Sequence, residues 1–493
     1  MALIYSAKLF LMGQEVNNLN SGSLHKNVGG LWAGVFQSIA FIAPAAVAAS
    51  FLVVETSYVG ASATFVFFLA IIGVSSAMYM NYVFAGRISH AGGYYAYVSA
   101  GLGPRFGIFS GWLYFINVLG ALSGFAVLFF AGVLWPLIPE LASNAYGWIP
   151  LSFIPLIIIL VLLYRGLKPS LTYTIIGAVI EISFLAIISI AIIIKAGPSN
   201  SIIPFTPDGN SFGNLGLATI YSILGFVGVG SVITLSEELK SPKKNIRKAI
   251  FIAMGITAVV YVLVSYSMVI GWGIGKIASF SSATDPGFTV VDNFFGPIVM
   301  AVFIIITLNS FISNGIAEGN AFSREGFALA RDGIIFPKTM ATVHKKYGSP
   351  NKVILVEWLI IVALTLVAGF IFGPFVGATI ITAVNGVVLY VVHILANFSL
   401  PIYGKKTMKL KLKGLIPLAL GPLLATVVYA FAIYGEFVPF PSYPDNVGAY
   451  AIIASVIIGI IFAAVLSIRK KKSDLESVGT EKASISELGA GER

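Results

Sequence analysis

The sequence predicts an all-α integral membrane protein of about twelve transmembrane helices, built as two inverted five-helix repeats with one further pair. Three observations predict it: a composition suited to lipid, a succession of apolar stretches long enough to cross a bilayer, and two interrupted helices at equivalent positions in the two halves.

Of 493 residues, 58% are hydrophobic and 10% charged, with a mean hydropathy of +0.94; ordinary soluble proteins carry roughly 25% charged residues. Cysteine is absent, which excludes a disulfide framework and cysteine metal sites. A helix needs about 20 apolar residues to cross the hydrocarbon core. Twelve stretches meet this need: 31–54, 59–85, 106–138, 149–167, 170–195, 214–238, 247–273, 291–322, 352–371, 375–399, 414–435 and 447–468. Continuous runs of this length are helical, because in lipid only helices and closed barrels satisfy the backbone and barrel strands alternate. No charged n-region with a small-residue cleavage site precedes the first span, so it is expected to start insertion itself.

Taken in order, span one carries "SIAFIAPAAVAAS", where Pro44 removes a backbone donor and clashes with the preceding turn. Span three is unusually long. Span five places Glu181 near its middle, in "GLKPSLTYTIIGAVIEISFLAI", with no basic residue close in sequence. Span six opens the stretch "SILGFVGVGSVITLSEELKSPKKN", with Gly225, Gly228 and Gly230 within six residues. Each glycine weakens a helix interior by about 0.5–1 kcal/mol relative to alanine. Pro44 and Gly228 lie 184 residues apart, and the long spans three and eight begin about 185 apart. An offset of five spans is odd, so the second copy is inverted. The chain thus divides into a cytoplasmic segment 1–30, repeats 31–195 and 214–399, spans 414–468 and a polar tail 473–493, expected to be disordered.

The net charge of +10 is a topology signal, not a nucleic-acid footprint. With the N-terminus inside, the inner loops hold most lysines and arginines, among them Lys240, Lys243, Lys244, Arg247, Lys248, Arg324 and Arg331, while outer loops hold only Lys195 and Lys276. Both termini are then cytoplasmic in a plasma-membrane protein. An enzyme is not indicated: the four histidines, His25, His90, His344 and His393, lie near or beyond span ends, and no GxxxxGK[ST] motif serves ATP-driven transport. No cofactor is expected.

Three motifs carry a family resemblance. "AGGYYAYVSAGLGPRFGIFSGW" (91–112), "SEELKSPKKNIRKAI" (236–250) and "NAFSREGFALARDGIIFPKTMATVHKKYGSP" (320–350) resemble, in order, segments of the amino acid, polyamine and organocation permease family. The resemblance implies a leucine-transporter-type fold that moves amino acids or related amines by alternating access. Carried over by residue, the substrate carboxylate would meet span one around Ile42, Ala43, Pro44, Ala45 and Ala46. Since Pro44 has no N–H, the amides of Ala43, Ala45 and Ala46 would serve. The ammonium would meet carbonyls near Leu224, Phe226 and Val227, at the Gly228 break, with Phe226 as an aromatic lid. Gly230 aligns with a position that is acidic in some members, which favours a neutral or apolar amino acid.

Two broken helices can indeed hold a zwitterion with backbone groups alone, the carboxylate at a half-helix N-terminus and the amine among carbonyls. Asn117 and Asn309 are candidates for lining that pocket or for bridging helices. Glu181 aligns with a lysine of proton-coupled members and has three readings. It could carry a proton, as membrane-embedded carboxylates do in transporters. It could pair with a cation, proton or sodium being the possible co-substrate, near Ser313 and Asn314. It could be structural glue. Glu55, Glu237, Glu238, Glu318 and Glu357 are expected toward span ends. Proton-coupled symport is the leading expectation; exchange, or an amino-acid sensor or channel, shares the same broken helices.

Overall fold

The computed structural model describes residues 24–283 and 285–480. Among them the chain is helical, with no strand and one isolated bridge, Gly29 to Leu239. The helices run α1 (Leu31–Ile42), α2 (Pro44–Val59), α3 (Ala63–Ala85), α4 (Tyr94–Leu102) and α5 (Pro104–Leu137). They continue with α6 (Trp148–Tyr164), α7 (Leu167–Ala196), α8 (Phe212–Leu224), α9 (Pro242–Trp272), α10 (Pro286–Phe295) and α11 (Pro297–Arg331). Last come α12 (Asn351–Phe372), α13 (Pro374–Lys406), α14 (Leu412–Phe437) and α15 (Asn446–Arg469). Nine stretches of the described residues are long and apolar enough to cross a membrane, the first of them, Leu31–Ala85, covering α1 to α3; α6 and α8 are apolar but shorter.

Burial sorts these helices into an interior and a rim. The window of α5 is 83% buried, that of α15 only 22%. The outward side chains of α14 and α15, such as Leu420, Leu424, Ile457 and Ile461, are exposed yet apolar, the pattern of a surface that meets lipid and not water. Inside, α13 packs on α4, α5 and α14, while α9 packs on α1, α3 and α7. The middle of α5, Ala121–Phe129, winds as a π-helix, a departure from α geometry that often accompanies functional sites.

The interruption expected at Pro44 is present. Ala43 adopts a left-handed conformation (φ 53°, ψ 66°), and Pro44 starts α2 at its first position, where a missing N–H costs nothing. The second interruption follows Leu224: residues 225–230 are turns, and Ser231–Leu235 is a 3-10 segment. Gly228 has φ +107°, and a Cβ there would lie 2.1 Å from Phe41 Cδ1. A side chain at 228 would therefore be strained and would also collide with the end of α1. The two breaks touch, and Ser38 Oγ adds a hydrogen bond of 2.9 Å to the Val229 carbonyl.

Of the segment 1–30, residues from 24 onward are described. Val28 donates to the Glu238 carbonyl, and Lys240 donates to that of Gly29. The tail expected to be disordered from 473 is described to residue 480, and that part is folded. A short helix covers Lys472–Glu476, Val478 is buried, and the Gly479 N–H donates to Asp332 Oδ2 at 2.9 Å. The apolar Val478 and the Asp332 carboxylate, which also accepts from Tyr95, give this stretch a docking place that its polar composition did not reveal. Residues 1–23 and 481–493 lie outside the described residues.

Candidate functional site

A break in a helix frees backbone groups, and the question is what satisfies them. At the first break the orphan donors belong to the start of α2. The Ala45 N–H donates to Glu181 Oε1 at 2.6 Å and the Ala46 N–H to Ser310 Oγ at 3.3 Å. Ser310 Oγ itself donates to Glu181 Oε1 at 2.7 Å. Glu181 from α7 therefore caps α2 with a carboxyl group placed at the positive end of the helix dipole. The Ala43 N–H is also used, by the Ile39 carbonyl.

This arrangement corrects one expectation. The amides of Ala43, Ala45 and Ala46 are expected to receive a substrate carboxylate; all three are engaged, Ala43 by the Ile39 carbonyl, Ala45 by Glu181 and Ala46 by Ser310. Glu181 Oε2 has no hydrogen-bond partner among the described residues. Ser313 Oγ accepts from Asn309 Nδ2 at 3.4 Å, and Asn309 Oδ1 accepts from Tyr173 of α7 at 2.7 Å. Asn309 and Ser313 thus tie α11 to α7.

On the other side of the break is a cavity lined by Phe41, Ile42, Val47, Phe51, Phe125, Leu224, Val227, Asn314, Glu318, Thr382, Asn385 and Gly386. It gathers the ends of α1 and α8, the start of α2, the π segment of α5, and the middles of α11 and α13. Of the expected site residues it includes Ile42, Leu224 and Val227. Asn117 comes close without lining it, being hydrogen-bonded to Asn385 Oδ1 and to the Asn385 carbonyl, and so bridges α5 to α13.

Most of this cavity is apolar, so its few polar groups define what it can recognise. Glu318 and Asn314 are 3% and 2% exposed. Asn314 Nδ2 donates to the Phe41 carbonyl released by the break, at 2.6 Å, and to Glu318 Oε1 at 3.2 Å. Since both partners are acceptors, the orientation of the Asn314 amide follows. Glu318 Oε2, Asn314 Oδ1 and Thr382 Oγ1 have no hydrogen-bond partner among the described residues. Glu318 was expected toward a span end. The apolar pattern ends span eight at 322, whereas α11 runs on to Arg331, which moves Glu318 to the interior. The available signal was Asn314 and Glu318 at i and i+4, on one helix face.

A second cavity lies across the second break, lined by residues including Met78, Tyr94, Phe226, Gly228, Gly230, Tyr390, His393 and Tyr429. Phe226 lines this second cavity and not the first, while Val227 lines both; Phe226 packs edge-on against Tyr261 at 5.0 Å. A Cβ at Gly230 would meet Tyr94 Oη at 2.5 Å and Asn81 Nδ2 at 2.6 Å, so a larger residue has no room there. His393 is hydrogen-bonded to Tyr429 at 2.9 Å.

Near the lysine- and arginine-rich segments, two ion pairs, one fully buried and one partly buried, tie the chain together. Arg324 Nε donates to Glu238 Oε2 at 2.7 Å, with side chains 0% and 1% exposed. Arg331 makes two bonds to Glu237, at 3.0 and 3.1 Å. The Ala91 N–H donates to Glu237, and the Tyr95 hydroxyl donates to Asp332. All three family-like motifs meet in this plug.

With that geometry in place, comparison with known proteins adds the following. A family model described as amino acid permease matches residues 34–476. An uncharacterized transporter of Mycobacterium tuberculosis is 26% identical over 58% of this chain and 61% of its own length. The branched-chain amino acid permease BcaP of Bacillus subtilis is 25% identical, covering 54% and 59%. A methylthioribose transporter of the same organism is 27% identical, covering 62% and 66%. The matched region thus spans about three fifths of the first of these relatives.

Proposed function

The chain belongs to the amino acid permease family, and from that premise we propose that it is a secondary transporter moving amino acids with apolar side chains across the plasma membrane by alternating access. The twelve spans form two inverted five-helix repeats and a final pair, with both termini cytoplasmic. The observation that carries this reading is the first cavity, placed where both broken helices meet and walled by Phe41, Ile42, Val47, Phe51, Phe125, Leu224 and Val227. Apolar walls reward an apolar side chain by about 25 cal/mol per Å² buried. Its polar end offers acceptors for an amine. In this state the plug of Arg324, Glu238, Arg331 and Glu237 shuts the cytoplasmic end, so the substrate enters from outside.

Glu181 is the proposed link between ion and substrate. Its charge holds the N-terminus of α2 through Ala45 and, with Ser310, Ala46. A proton on that carboxylate removes the charge favoured by the helix dipole and weakens the charge-assisted bonds, freeing α2 to move. The reaction is then proton-coupled symport. Uptake of labelled amino acids into proteoliposomes tests it, with an inward proton gradient or with substrate preloaded. Gradient-driven uptake that Glu181→Gln abolishes is the expected result. Uptake that needs only internal substrate makes the protein an exchanger, and saturable binding without uptake makes it a sensor.

A further inference from the structure

We propose that Glu318 and Asn314 form the subsite for the ammonium group of the ligand, and that this cavity selects its ligand by the amine with no requirement for the carboxylate. The inference rests on the transport reading and extends its substrate class to apolar primary amines, with or without a carboxyl group.

The argument is one of donors and acceptors. The donors freed at the first break, the N–H groups of Ala45 and Ala46, are taken by Glu181 and Ser310. Glu181 thus occupies the place at the α2 N-terminus that would suit a ligand carboxylate. The acceptors are not taken. Glu318 and Asn314 both line the cavity, both are at least nine-tenths buried, and each keeps one oxygen without a partner among the described residues. A buried carboxylate facing an apolar cavity is costly unless a cation or a donor pairs with it. An ammonium carries three donors and no acceptor, so it matches this set of unpaired oxygens, whereas a ligand carboxylate brings only further acceptors. The Arg324 guanidinium is committed to Glu238.

Thermal-shift titration of the purified full-length chain tests the proposal, with leucine and phenylalanine, their decarboxylated amines and their N-acetyl derivatives, alongside uptake competition. The amino acids and the amines should bind within about tenfold of each other and the N-acetyl derivatives at least tenfold more weakly. Glu318→Gln should weaken every free amine at least tenfold, and Glu318→Asp, which keeps the charge at shorter reach, should restore part of the loss; the aspartate variant alone decides if the glutamine variant fails to fold. N-acetyl derivatives bound as tightly as free amines, or amine affinity unchanged in Glu318→Gln, would overturn the proposal while leaving transport intact. Wild-type protein that binds and takes up none of these compounds would overturn the transport reading and this one together.

Discussion

Six residues separate Glu318 from Arg324 on α11, yet the two places treat a buried charge in opposite ways. At Arg324 every strong donor has an answer: Glu238 takes the guanidinium, Ser323 takes one of its nitrogens at 2.9 Å, and the pair is sealed from solvent. At Glu318 one carboxylate oxygen is bonded to Asn314 and the other is left over. The difference separates a seal from a binding site. A seal is stable when its charges are paired within the protein; a site keeps an acceptor for a group that arrives with the ligand.

The comparison can be broken most forcefully at the plug. Arg324→Ala strands Glu238 in the interior and should destabilise the protein by about 3–5 kcal/mol, read as a fall in unfolding temperature in detergent. Removing both partners should cost less than removing Arg324 alone. Next comes the cap of α2: Glu181→Ala leaves the Ala45 amide without its charged acceptor, at about 1.5–3 kcal/mol, while Glu181→Gln keeps an acceptor and should cost less. Asn117→Ala removes a neutral bridge to α13 and should cost about 1 kcal/mol. The smallest effect belongs to Glu318→Gln, where no ion pair is lost and the glutamine oxygen can still accept from Asn314; a change below the roughly 1 kcal/mol of a lost neutral hydrogen bond is expected. A loss there as large as that of Arg324→Ala would erase the distinction between seal and site.

Both breaks were legible in the sequence because a backbone requirement writes itself in residue type: Pro44 at a helix start, and Gly228 where φ is positive and Phe41 fills the space of a side chain. Glu181 was legible as an oddity, a carboxylate amid apolar residues, but not as the cap of α2, since its partners lie 136 and 129 residues away. The same distance problem hid the pairing of Asn117 with Asn385. Phe226 was misplaced because turns, not a helix, follow Leu224 and set its ring in the second cavity. Glu318 was missed for a simpler reason: hydropathy ends where charged residues begin, while α11 continues to Arg331 through a sheath of protein that replaces water.

The central claim, that the substrate sits in the cavity of Glu318, can be tested directly because the chain contains no cysteine. Single cysteines placed at Thr382 in the first cavity and at Met78 in the second would be alkylated in proteoliposomes with and without a transported amino acid. Substrate should slow labelling at Thr382→Cys and leave Met78→Cys unchanged; protection at Met78→Cys instead would contradict the account.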